Sequence, residues 1–393
     1  MSDFTTCIIG LGHRVASLLP EFHKSAPKMR ITGVSDPDST HLEVLGPIGA
    51  TPDFYDDPAR MLRELRPHMV MIGSPNHLHL DHLRIALQSD VPFIFAEKPV
   101  VISVEETLEL ARLIARHDGQ RRLMVGLVLR YSTLYRALRA AQAQGHIGEV
   151  MSIEASEHIA PYHGSFFMRD WRRSTAMSGG FMLEKCCHDI DLYQGVVGRR
   201  PMRVASFGGR KKYLPEKRPS PAPAYLDEKH PRWNGVDDAF SGEADIIDYQ
   251  TALVEYEGGA TMAFHTNLNV PDQFRRFAVI GTDGMAEGDF IRNTFRVTLS
   301  DSGEQPQNET AIGSGTETGH YGADGAMAAD IVAHVTGRMP HLPLSVIDAL
   351  ESGLTAMAMD AARLEHRVVE MAPIWDSLDA ALAPAVATTA GEI

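Results

Sequence analysis

Residues 5–14 read Thr-Thr-Cys-Ile-Ile-Gly-Leu-Gly-His-Arg. A run of strand type meets two glycines one residue apart, and a helix-compatible stretch from Val15 to Lys24 follows. Glycines in that context permit a tight turn and let a pyrophosphate approach a helix N-terminus. The next strand-like run, Ile31–Ser35, ends in Asp36, 24 residues after Gly12. A dinucleotide fingerprint expects an acid about 20 residues on, accepting hydrogen bonds from the adenosine ribose. A carboxylate there repels a 2′-phosphate, so NAD is the expected cofactor and NADP the alternative. Gly10, Gly12, His13, Arg14 and Asp36 are the expected contacts. The third fingerprint position is Val15, neither Gly nor Ala. Its side chain is expected to push the helix outward or narrow the turn, and by itself the motif also fits a glycine turn in another doubly wound fold.

Outward from this turn, strand and helix alternate. Strands are expected at Met69–Gly73, Pro92–Ala96 and Leu123–Val128, and helices at His79–Gln88 and Val104–Arg116. That alternation argues an α/β fold with a parallel sheet and crossover helices. After about residue 125 the pattern changes. One long helix is expected over Arg130–Gln144. Strands follow at Val150–His158, Met202–Gly208, Thr251–Tyr256, Ala260–Leu268 and Phe274–Gly281, with few helices between them. This half is expected to form a mostly antiparallel sheet with helices on one face. Residues 210–235, rich in Pro, Lys and Arg, read as an exposed insertion. Met327–Gly337 and Val346–His366 return to helical spacing. The expected division is a dinucleotide-binding domain over 1–125, a substrate and oligomerisation domain over 126–381, and a poorly ordered tail over 382–393.

The chain has 393 residues, enough for two cores. Its 51 Asp and Glu against 37 Lys and Arg give a net charge of −14. Such a chain repels phosphate backbones, so no nucleic-acid partner is expected. Cys7, Cys186 and Cys187 do not read as a disulfide framework. With no signal-peptide pattern and no apolar run of about 20 residues, no membrane partner is expected and a reducing cytoplasm is the expected location.

Further motifs narrow the class. Ser74-Pro75-Asn76-His77-Leu78-His79, Glu97-Lys98-Pro99 and Gly145-His146-Ile147-Gly148-Glu149 occur in that order, followed by Gly179-Gly180 and Glu184-Lys185-Cys186-Cys187-His188-Asp189-Ile190-Asp191. Together they resemble the Gfo/Idh/MocA oxidoreductases, the glucose–fructose oxidoreductase and inositol dehydrogenase family, over roughly residues 5–370. The resemblance implies a Rossmann domain, then an α/β domain with a large, open, mostly antiparallel sheet, and an active site between them. It also implies a homo-oligomer paired through the open sheet face. Ser74, Pro75, Asn76 and His79 are expected to wrap the cofactor, and Glu97 and Lys98 to contact cofactor and substrate.

Oxidising a secondary alcohol needs a hydride acceptor, a base for the hydroxyl proton and a group to stabilise the developing alkoxide. Lys98, at the end of a strand of the parallel sheet, is suited to polarise the substrate oxygen. His188 is the candidate base, because modest shifts from about 6.5 let an imidazole cycle near neutrality. Glu184, four residues earlier, is expected on the same helical face, orienting His188 or binding substrate hydroxyls. The family commonly has Asp at that position. Asp191 reads as structural. Arg130 and Tyr131 either line the site or pack the domain junction. Tyr162, Arg169 and Trp171 lie in a polar-aromatic loop suited to sugar faces, and His320 and Asp324 precede a helix within reach of the pocket. Cys186 and Cys187 beside His188 raise a zinc site, but adjacent helical residues point apart, so no metal is expected. The expected reaction is NAD(P)-dependent oxidation or reduction at a secondary alcohol of a sugar, cyclitol or polyol. An NAD-sensing binding protein and a redox-neutral NAD-dependent glycosidase are the alternatives on the same fold.

Overall fold

A computed structural model describes residues 4–226, 238–312 and 319–384. Within it the chain builds two sheets. The first has six parallel strands: β1 (Thr5–Ile9), β2 (Arg30–Ser35), β3 (Asp53–Tyr55), β4 (Met69–Ile72), β5 (Phe93–Ala96) and β6 (Leu123–Val125). Their order is β3-β2-β1-β4-β5-β6, so the order in which strands are laid down reverses between β1 and β4. β1 and β4 are almost wholly buried, as expected for strands covered by helices on both faces. Those helices include α1 (His13–Ser25), α2 (Pro58–Leu65), α3 (His79–Gln88) and α4 (Val104–Arg116). Asp57 caps α2 and Ser103 caps α4 through their side chains. α1 has Gly12 at that position and no side-chain cap, which leaves the end nearest the glycine turn open to an anion.

The second sheet has nine strands: β7 (Val150–His158), β8 (Pro201–Gly209), β9 (Tyr249–Tyr256), β10 (Thr261–Asn267), β11 (Arg276–Gly281), β12 (Gly284–Asp289), β13 (Thr294–Leu299), β14 (Gln307–Glu309) and β15 (Val369–Glu370). All neighbours pair antiparallel except β7 with β10. The helices Cys187–Val197 and Val346–Glu365 pack on one face. On the other, Phe207 and Leu253 are exposed. The helix Ala323–Val335, late in the chain, packs on α1 of the first sheet's layer.

Several expected boundaries move. β3 and β12–β15 are strands that periodicity did not reveal, and they are mostly short or carry Gly and charge. The strand expected over Leu123–Val128 stops at Val125, and Val128–Tyr131 turns as a 3-10 helix, so the following helix is Thr133–Ala143. The insertion expected over 210–235 is anchored where it begins. The Asp248 carboxylate accepts the backbone N–H groups of Lys211, Lys212 and Tyr213. The Tyr213 ring is fully buried and its hydroxyl stands 2.9 Å from the carbonyls of both Pro161 and Leu268, either of which can accept its one hydrogen. Residues 227–235 of that insertion lie outside the described residues. Leu382, expected to begin the tail, is the last residue of the helix Ala372–Leu382; 385–393 of the tail lie outside the described residues. Among the described residues, no helix is long and apolar enough to cross a membrane.

Candidate active site

The glycine turn is built for close approach. Gly10 has φ +78°, and a Cβ there would run into the backbone of Ser74. A Cβ on Gly12 would stand 3.3 Å from the Gly73 carbonyl. Val15 is accommodated by an absence elsewhere. It is fully buried, and the space beside its Cγ2 is what a side chain on Gly73 would occupy. The helix therefore seats on the sheet through a valine–glycine pair, with the small residue moved from α1 to the end of β4. Asp36 is buried at the end of β2. One carboxylate oxygen accepts the Leu11 N–H at 2.8 Å; the other accepts the Asp38 N–H and faces His41 Nδ1, both at 3.0 Å. An open helix end, a turn with room for backbone approach and an acid at the next strand end fit the pyrophosphate and ribose of a dinucleotide.

The wall opposite comes from four segments. Lys98 follows β5. Its Nζ donates to the Glu184 carbonyl at 2.6 Å and lies 3.6 Å from that residue's carboxylate. The same carboxylate accepts Asn76 Nδ2 at 2.5 Å, and Asn76 also donates to the Ser178 carbonyl. Asn76 thus ties the loop after β4 to the Gly179-Gly180 turn. Arg172 Nε stands 3.8 Å from Glu184. Glu184 is not on the helical face of His188, contrary to the i, i+4 reading. Phe181–Glu184 is a separate helical turn, and the next helix begins at Cys187. The break turns Glu184 toward Asn76 and Lys98 and leaves His188 without it.

His188 is 2% exposed. Its Nδ1 is buried with no hydrogen-bond partner among the described residues. Burial, then the nearby Lys98, Arg275 and Lys185 cations and the adjoining His320 ring, push the imidazole well below its usual value, so it is neutral at physiological pH. His320 stands beside it with ring centroids 5.6 Å apart. The His320 Nδ1 lies 3.2 Å from both Asp324 oxygens. Those oxygens also take Arg14 Nη1 and Nη2 at 2.8 and 2.7 Å, while Arg14 Nε donates to Glu97 at 3.1 Å. Arg14 is therefore a bridge from α1 to the helix Ala323–Val335. Burial pushes the Glu97 carboxyl up, against the pull of Arg14 and Lys98.

Other expected site residues serve elsewhere. Arg130 is buried and committed to Asp191 at 2.7 and 2.8 Å and to Asp348 at 3.3 Å, which makes it a clamp within the C-terminal half rather than a substrate contact. His79 is buried with Nδ1 2.8 Å from the Pro99 carbonyl and Nε2 2.9 Å from that of Ser74, so it braces these two loops instead of facing a ligand. Ser74 Oγ pairs with His82 at 2.8 Å. Pro75 leads into the 3-10 turn Asn76–Leu78. The loop expected around Tyr162, Arg169 and Trp171 is a helix, Pro161–Phe167, and a 3-10 turn, Asp170–Arg173. Arg169 is buried, and the Arg172 guanidinium lies over the Trp171 ring at 4.2 Å. Sequence reading missed Lys185, whose Nζ pairs with Glu157 at 3.0 Å, and Arg275, fully buried against Asp189 and Glu157. Neither carries a spacing signal, because the partners lie on separate elements. Among the described residues, no three His, Cys, Asp or Glu side chains gather where a metal ion would fit.

A nucleotide cradle facing a buried imidazole and a lysine defines a dinucleotide-binding oxidoreductase. The chain belongs to the Gfo/Idh/MocA family: residues 4–127 match the oxidoreductase family's NAD-binding Rossmann fold and residues 135–287 its C-terminal domain. It is 24% identical to the putative oxidoreductase YteT of Bacillus subtilis, over 95% of this chain and 97% of that protein. Its fold is that of a levoglucosan dehydrogenase in complex with NADH, at a TM-score of 0.75, 15% identity, and 94% and 99% of the two chains. It is also that of a scyllo-inositol dehydrogenase from Lactobacillus casei with bound NAD(H) and scyllo-inositol, at 0.72, 18%, and 94% and 100%.

Proposed function

We propose that this chain is an NAD-dependent dehydrogenase that transfers a hydride from a secondary hydroxyl carbon of a sugar, cyclitol or related polyol. One observation carries the reading: His188 is a sealed, neutral imidazole with an unpartnered nitrogen, close enough to Lys98 for that cation to depress it. A neutral imidazole is the form that accepts a proton. Two solved proteins of the same fold have sugar-like or cyclitol substrates in their names, which supports the substrate class.

In this reading the nicotinamide, when bound, supplies the acceptor for the hydride. The chain's residues do the rest. Lys98 uses one of its donors on the Glu184 carbonyl, which fixes the ammonium, and keeps others for the substrate oxygen. As the hydroxyl loses its proton to His188, the ammonium stabilises the alkoxide charge. Asn76 and Arg172 hold the Glu184 carboxylate beside Lys98. Gly10, Gly12 and the open end of α1 receive the pyrophosphate, and Asp36 reads the ribose.

The test follows nicotinamide absorbance with purified protein, NAD, and a panel of inositols, aldoses and glycosides. Reduction is expected with one compound class. Lys98→Ala is expected to lower kcat by about 10²–10³ while leaving NAD affinity within about twofold. Full turnover by that variant would remove Lys98 from the mechanism. Silence across the panel with NAD bound would reject the dehydrogenase reading.

A further inference from the structure

A base sealed as tightly as His188 must return its proton before the next turnover. With substrate and cofactor in the cleft, that proton needs a protein route. We propose that His320 is the relay: it takes from His188 the proton that His188 receives from the substrate, and passes it to solvent. This rests on the base role of His188 given above.

Three independent features point to it. First, the two rings adjoin, with centroids 5.6 Å apart and planes tilted by 50°. At that separation the proton passes between the ring nitrogens through one bridging water. Second, the His320 ring is oriented. Asp324 is gripped through both oxygens by Arg14 and is held well below the usual carboxylate range, against its own burial, by Arg14 and His320. It can therefore only accept, so His320 Nδ1 must carry the hydrogen and Nε2 is left as the accepting nitrogen. Third, His320 reaches this position through an unusual backbone. His320 and Tyr321 have φ of +52° and +59°, followed by Gly322 at +82°. Two successive side-chain-bearing residues in the left-handed region are costly, and such conformations cluster at functional sites.

His320 is also the wetter of the two rings. Its side chain is 27% exposed, against 2% for the His188 residue. The step moves one proton. An N–H bond breaks at His188 and one forms at His320 Nε2. The resulting imidazolium faces the Asp324 carboxylate, which stabilises it, and Arg14 and Lys185, which do not, so it discharges to water. Burial pushes His320 down to about 4, and this low proton affinity favours release. In this role His320 acts through His188.

His320→Asn is the decisive variant, because an Asn amide preserves a donor toward Asp324 and removes the second ring nitrogen. In dilute non-imidazole buffer, steady-state kcat is expected to fall about 10- to 100-fold, with KM for the polyol within about twofold. A single turnover should proceed at the wild-type rate, and added imidazole should restore the steady state. Unchanged steady-state kcat, or a loss that equally slows the single turnover and resists imidazole, would overturn the relay. His188→Asn separates the two readings, since it is expected to slow the single turnover itself. Nitrogen-15 spectra of the histidine rings test the geometry without turnover. His320 is expected as the Nδ1–H tautomer at neutral pH and should change in Asp324→Asn. An Nε2–H ring, or a ring indifferent to Asp324→Asn, would reject the relay even if no polyol is oxidised.

Discussion

Arg275 and Arg14 each grip an aspartate through two nitrogens and reach a glutamate as well, one in the body of the C-terminal half and the other across the cleft. Arg275 is 1% exposed, with Asp189 and Glu157 sealed around it. The Arg14 side chain is 25% exposed, and its partners Glu97 and Asp324 come from β5's end and a helix more than 200 residues later. The chemistry is the same and the consequence differs. Where water is excluded, the group of charges is a fixed part of the packing, because no solvent can replace a partner. Where water reaches the arginine, the pair can reorganise, and it stands beside a group that titrates. The buried clamp holds the wall on which His188 sits; the cleft clamp sets the orientation of His320.

The largest expected effect breaks the buried clamp. Arg275→Met leaves the buried Asp189 without its partner and Glu157 with Lys185 alone, and is expected to cost about 3–5 kcal/mol in urea unfolding at pH 7. Arg14→Met is expected to cost about 1–3 kcal/mol, because the Arg14 side chain is 25% exposed and water can enter the space it leaves. Equal losses would erase the distinction between the two sites. A smaller effect concerns the glycine turn. Gly73→Ala drives a methyl into Val15 and is expected to destabilise by about 1–3 kcal/mol. Val15→Ala in the same chain should relieve most of that, and simple additivity of the two losses would show that the residues do not share one space.

The smallest and broadest effect is on pH. Burial is the first cause holding His320 and His158 at about 4, and it holds His188 lower than its usual value as well. In the unfolded chain these rings titrate near ~6.5. Between those values the unfolded chain binds protons that the folded chain refuses, so stability is full above about 6.5 and falls as the pH drops toward 4. Urea midpoints measured from pH 7 to 4.5 are expected to decline. His320→Asn should flatten that decline by the share of one proton; an unaltered slope would mean His320 is not held neutral by the fold.

Much of the N-terminal half was legible because its signals are local. The strand–Gly-Leu-Gly–helix passage, Asp36 and the exact span of the helix His79–Gln88 follow from neighbours in the chain. The site was legible in part. Lys98 and His188 stand out by motif, and the Lys98 charge acts on the His188 ring. Arg130 is open on sequence grounds between lining the site and packing the domain junction, and the structure commits it to Asp191, since nothing in its vicinity announces a partner 61 residues away. Glu184 was read on a helix shared with His188, and a break at Lys185 and Cys186 sends it to Asn76 and Lys98. His320 was read as a pocket residue; its place beside His188 depends on two left-handed residues that no propensity marks.

Residue order by itself determined the alternation of strand and helix, the nucleotide turn and the sign of the charge beside it. These depend on periodicity, on glycine's freedom from a Cβ and on residues a few positions apart. Only the tertiary structure decided which charges meet: that Gly73 makes room for Val15, that Arg14 reaches Asp324, and that two histidines 132 positions apart lie ring beside ring. The reason is physical. Ion pairs and ring contacts act over a few ångströms in space, and separation along the chain does not encode which segments the packed core brings that close.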